Sequence, residues 1–158
     1  MKNTILILAL TAVLVGAYSL PSQAAPATNT YAQKLMEQTA AKHPELNIIG
    51  LHVTPPNGKD NIIIASSNPT KIGKKSDPDD LDVMKTRKPT VERRDDKKIF
   101  DLGMPLYTKS GQIIGTIVME VKYSFTNEPS VALKRGQAVS DELRAQIPSK
   151  AKLFEPAQ

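Results

Sequence analysis

The sequence predicts an α+β domain built on an antiparallel sheet flanked by an N-terminal and a C-terminal helix. Three observations predict it. Apolar residues recur at helical spacing over 30–43 and again over 130–147. Between those stretches, five segments carry the two-residue alternation of β-strands. The last three of these follow one another with only Asp95-Asp96 and Lys109-Ser110-Gly111 between them, which reads as a strand meander.

The leader comes first. Lys2 precedes an apolar run over 5–17, and the small residues Ser22 and Ala24 stand at the −3 and −1 positions of a cleavage site after Ala24. A run of about 13 residues is shorter than the roughly 20 that a membrane-spanning helix needs, so residues 1–24 read as a cleaved signal peptide and the product as a free periplasmic protein. Residues 25–29 form a short lead, 30–148 a single domain, and 149–158 a polar, loose tail. The chain has no cysteine, which excludes a lipid-modified N-terminal Cys and any disulfide framework. Removal of Lys2 lowers the formal charge only from +5 to +4. With 4% aromatics, no Trp and charges of mixed sign, a nucleic-acid surface is not indicated.

In the first helix, Thr30 with Gln33 three residues on forms a capping-box pattern, and Pro44 is the stop. The stretch 46–53 alternates, the Asn57-Gly58 pair turns the chain, and 62–66 returns as a partner strand whose Ile62-Ile63-Ile64 is apolar on both faces. Asp77 followed by Pro78, Asp79 and Asp80 opens a short helix in the manner that the helix dipole favours, and Pro89 closes it. Strands follow over 90–94, 97–107 and 112–123. Pro105 marks an edge or a bulge in the middle one. Ala132, Gly136, Val139, Leu143 and Ile147 then share one stripe of the closing helix, which Pro148 ends.

Two motifs carry a resemblance. The first is Ala65-Ser66-Ser67-Asn68-Pro69 followed by Ile72-Gly73; the second joins Met104-Pro105-Leu106, Ser110-Gly111 and Ile114-Gly115. In this order and spacing they resemble the PAS-like fold of extracytoplasmic Cache sensor domains, over about 60 residues. The resemblance implies a small-molecule ligand on the concave side of the sheet. Relatives that bind di- and tricarboxylates carry an Arg and a His just before the Pro of the first motif. This chain has Ile63-Ile64-Ala65-Ser66-Ser67 there. Most relatives are also anchored ahead of a cytoplasmic output module, so a stand-alone member would hand its signal to a membrane or periplasmic partner.

The residues themselves offer few sites. Asp77, Asp79, Asp80 and Asp82 resemble a calcium loop, but Leu81, Asp82 and Lys88 fall where such a loop needs a ligand, a Gly and a Glu, so capping explains the acids. His43 and His52 are the only imidazoles, and no spacing signal joins them to carboxylates as a metal site. No Ser sits in a nucleophile turn with an evident base. The chain is therefore expected to be no enzyme and to hold no metal or cofactor. The ligand-binding candidates are Ser66, Ser67, Arg93, Arg94, Asp101 and Tyr107, the few polar residues on otherwise apolar strands. Arg and Asp together would suit a zwitterion such as an amino acid better than a plain carboxylate. The alternative is an interaction module without a ligand, whose hollow would be plugged by Ile, Met and Phe side chains.

Overall fold

The computed structural model describes residues 29–158. The predicted signal peptide and all but the last residue of the lead lie outside them. The elements run α1 (Tyr31–Lys42), β1 (Leu46–Val53), β2 (Ile62–Ser66), a 3-10 turn at Pro69–Lys71, α2 (Pro78–Thr86), β3 (Thr90–Arg94), β4 (Ile99–Tyr107), β5 (Ile113–Lys122), α3 (Pro129–Gln146) and a second 3-10 turn at Ala151–Phe154. The strands form one antiparallel five-stranded sheet in the order β2-β1-β5-β4-β3. This is the α+β class expected, with helices at both ends. Among the described residues no helix is long and apolar enough to cross a membrane.

Strand parity divides the sheet into two unlike faces. On one, Ile49 and Leu51 of β1, Phe100, Leu102 and Met104 of β4, and Ile117, Met119 and Val121 of β5 stand in register and are fully buried. They pack under α1 through Ala32, Leu35 and Met36, and under α3 through Ala132, Val139 and Leu143. Gly136 lets α3 come down onto that layer: a Cβ there would stand 2.8 Å from Leu102 Cδ1 and 3.3 Å from Met104 Sδ. The other face carries Gly50, His52, Asp101, Gly103, Thr116, Val118 and Glu120. Among the described residues, α2 and the 3-10 turn after β2 lie on that side.

Several local expectations are modified. Thr30 caps α1 by accepting the Gln33 amide at 3.2 Å. The Gln33 side chain, however, does not close a capping box. Its amide pairs with the backbone of Ser66 instead, accepting from Ser66 N at 3.0 Å and donating to Ser66 O at 3.1 Å, which fixes α1 to the end of β2. Asn57-Gly58 lies in a connection longer than a tight hairpin, where the Gly58 amide donates to Pro55 O at 3.0 Å. Pro105 is tolerated because β3 ends opposite Gly103, leaving that part of β4 without an outer neighbour.

The segment after Pro148 is not loose. Leu153 is completely buried in the helical layer, and the Tyr31 amide donates to Glu155 O at 2.8 Å while the Ala157 amide donates to Asn29 O at 3.2 Å. A bridge between Thr30 and Pro156 completes this short ribbon. Two large apolar side chains, Leu153 and Phe154, in a short run are a weak sequence signal, yet they suffice once the start of α1 offers backbone groups to pair with.

Candidate functional site

The polar face of the sheet, roofed in part by α2, encloses a hollow of about 600 Å³. The floor is built by register. β3 and β4 are joined by a tight turn that sets Arg94 opposite Ile99, and counting back places Glu92 opposite Asp101. The pairing of β4 with β5 places Asp101 opposite Glu120. Three carboxylates therefore stand side by side across three adjacent strands. Like charges directly opposite in a sheet are mutually destabilising. Burial pushes the Asp101 carboxyl above the ordinary aspartate range, and the Glu120 and Glu92 charges push it further, with Arg94 opposing them.

The remaining floor is small or apolar: Ile48, Gly50, Ile63 and Val118. Seven of the lining residues are Asp or Glu and three are Lys or Arg, the reverse of the balance in the whole chain. The roof is tied down at one end. His52, almost fully buried on β1, has Nδ1 at 3.0 Å from both Ser76 Oγ and an Asp80 carboxylate oxygen. Ser76 in turn donates to Asn61 Oδ1 at 2.6 Å, and Thr116 Oγ1 donates to Asp80 O at 2.7 Å. Further along α2, Val83 is the buried residue and rests over Gly103, where an added Cβ would lie 2.9 Å from Val83 Cγ2.

Three of the six candidates line this hollow and three do not. Ser66, Arg94 and Asp101 are in its wall. Ser66 is nonetheless committed to the backbone: its hydroxyl donates to Ile49 O at 3.2 Å and accepts the Asn68 amide at 3.1 Å. Ser67 is turned to the β1 edge, where its hydroxyl accepts the Ile49 amide at 3.0 Å. Arg93 has the opposite parity to Arg94 and lies on the helical side, with its guanidinium 4.8 Å from the Tyr123 ring centroid and donating to Asp95 at 2.9 Å. Tyr107 ends β4 opposite a bulge at Ile114 of β5, and its ring faces Arg144 of α3. Sequence reasoning missed Glu92, Glu120, His52 and Asp80. A two-residue turn at Asp95-Asp96 would set Glu92 opposite Ile99; the longer turn of the structure moves it opposite Asp101, which alternation along the strands does not show.

Among the described residues no group of three or more His, Asp or Glu side chains converges on a point where a metal ion could sit. The acids of α2 instead serve its first turn, in which the Asp77 amide donates to the Asp80 carboxylate at 3.1 Å.

No protein-family model matches the sequence, and no curated protein matches it significantly. Solved structures are similar in fold. The GAF domain/HD domain protein from Geobacter sulfurreducens superposes with a TM-score of 0.55 at 14% identity, covering 79% of this chain and 96% of that one. The inducer-binding domain of the PobR transcription factor from Acinetobacter, solved as a double mutant with 3-hydroxybenzoic acid, gives 0.48 at 9% identity over 75% of this chain and 95% of that one. The type II free methionine-R-sulfoxide reductase from Thermoplasma acidophilum gives 0.49 at 14% identity over 78% and 92%. Identities this low speak to fold alone, and the first of these superpositions carries it: the chain has a GAF/PAS-like fold. The narrower likeness to Cache domains is a matter for function.

Proposed function

We propose that this chain is a small-molecule-binding, sensor-type domain of Cache-like character, whose ligand presents an ammonium group to the carboxylate row on the sheet floor. The observation that carries the reading is the row itself. Glu92, Asp101 and Glu120 stand on neighbouring strands beside an open hollow, an arrangement that works against folding and that a bound cation would relieve. A concave space with a few convergent polar groups is what small-molecule sites require. Arg94, in the wall with its Nε 3.8 Å from Glu92 and 3.6 Å from Asp96, brings a cation for the acidic end of a zwitterion, so an amino acid fits better than a dicarboxylate. Whichever ligand binds, Ser66 contributes shape rather than a hydrogen bond.

The interaction-module alternative is less favoured, since it expected a hollow plugged by core side chains. Catalysis is also less favoured. Reduction of a sulfoxide, the reaction named for one similar structure, takes two electrons, and a chain with no cysteine has no thiol pair to supply them. The leader motif supports export with cleavage after Ala24, and the intact mass of the exported form should begin at Ala25. Retention of residues 1–24 in a membrane fraction would contradict it.

A thermal-shift panel tests the binding. Amino acids, diamines and N-acetylated amino acids should separate: the free amines raise the melting temperature, with a shift that grows as ligand exceeds its dissociation constant. The N-acetylated forms, lacking the charge, should not. Stabilisation by dicarboxylates alone would reverse the proposed sign of the site.

A further inference from the structure

His52 and the carboxylate row stand at different levels of the same sheet face. Along β1, Ile48 is opposite Glu120, Gly50 is opposite Val118 and His52 is opposite Thr116. These pairs share the polar face, so four residues of strand, about 13 Å, separate His52 from the level of the row. Between the two levels the wall of the hollow is formed by Gly50 and Val118, neither of which has a polar side chain. That leaves an apolar floor on which an unbranched chain can lie.

The imidazole of His52 is 6% exposed, and its neighbours fix the position of its proton. Asn61 turns its amide nitrogen to Thr54 Oγ1 at 3.4 Å and its oxygen to Ser76, which donates its one hydroxyl proton there at 2.6 Å. Ser76 Oγ can then only accept from His52, and the Asp80 carboxylate can only accept as well. Both lie 3.0 Å from Nδ1, so Nδ1 carries the hydrogen. In the neutral ring Nε2 is therefore an acceptor. Among the described residues no polar group pairs with Nε2, and no fully buried side-chain N or O lacks a partner, so Nε2 opens onto the hollow that His52 lines.

Resting on the amine reading above, we propose that His52 Nε2 receives a hydrogen bond from a nitrogen donor at the far end of the ligand, which makes the ligand an amino acid with a long, unbranched, basic side chain. Its α-ammonium group lies on the carboxylate row with its carboxylate toward Arg94, its methylenes cross Gly50 and Val118, and its terminal N–H meets His52. The charge of the wall favours the same class. Seven acids stand against Lys71, Arg94 and Lys97, so a ligand of net positive charge fits better than a neutral zwitterion.

L-Lysine and L-norleucine, which share one carbon chain and differ by the terminal nitrogen, test the assignment. Calorimetric titration at about pH 8, above the ordinary histidine range, should give lysine an affinity at least about tenfold the higher. His52→Asn, whose amide nitrogen replaces Nδ1 while nothing replaces Nε2, should bring that ratio close to one. Imidazole nitrogen spectra of the wild-type chain give a reading that does not depend on the variant folding. The His52 proton should sit on Nδ1, and the Nε2 resonance should move with lysine and stay in place with norleucine. Equal affinities for the two amino acids, or a proton bonded to Nε2 at that pH, would overturn the role of His52 and leave the amine site standing. Failure of both to bind would overturn the amine reading and this assignment with it.

Discussion

Asp101 shows how a single residue can be read against its own stability. Its carboxyl is raised first by burial and then by Glu120 and Glu92. A raised carboxyl binds a proton more tightly in the folded chain than in the unfolded one, so stability falls as pH rises through that window and the loss persists above it. Asp101→Asn should accordingly stabilise the unliganded chain at pH 7, on the order of 0.5–1 kcal/mol from relief of like-charge pairs. Denaturant unfolding at several pH values measures it. The gain should vanish in acid, where both residues are uncharged, and a gain that persists there would mean that charge is not the cause. The same substitution should abolish the response to amines. Gain in stability and loss of binding in one variant is the signature of a residue kept for its ligand.

At the scale of the element, α2 and the strand registers decide what the hollow can hold. The acids at the start of α2 are placed by helix chemistry, with Pro78 in the first turn and Asp79 and Asp80 near the positive end of the dipole. Asp77→Ala should cost about 1 kcal/mol, and calcium should leave the melting temperature of the wild-type chain unchanged. A calcium-dependent rise of several degrees would restore the metal reading. The elements themselves were legible in the sequence: period and punctuation located α1, α2, α3 and all five strands to within a few residues. The site was legible only in part. Parity along β4 put Asp101 on the polar face, but Arg93 and Arg94 have opposite parity, and treating them as interchangeable hid the fact that only Arg94 faces the hollow. Tyr107 ends β4, and its contact with Arg144 of α3 is a tertiary one that alternation does not show. His52 and Asp80 meet through a tertiary contact between β1 and α2 that no local pattern encodes.

For the molecule as a whole, the sheet acts as a partition. One face is sealed by α1 and α3 and by the C-terminal turn, and the other is left open beneath a lightly attached helix. Leu153 shows that the sealed face extends to the end of the described chain. Leu153→Ala should cost about 2–4 kcal/mol, as for a buried leucine elsewhere in a core, and a loss below 0.5 kcal/mol would return residues 149–158 to the status of a loose tail. Titration of the isotopically labelled chain with free amino acids and diamines, followed by backbone amide spectra, tests the central claim most directly. Binding in the hollow predicts saturable perturbations at Gly50, Asp101, Val118 and Glu120, with the amides of α1 and α3 unmoved. Perturbations confined to the helical face, or none with any amine at millimolar concentration, would contradict it.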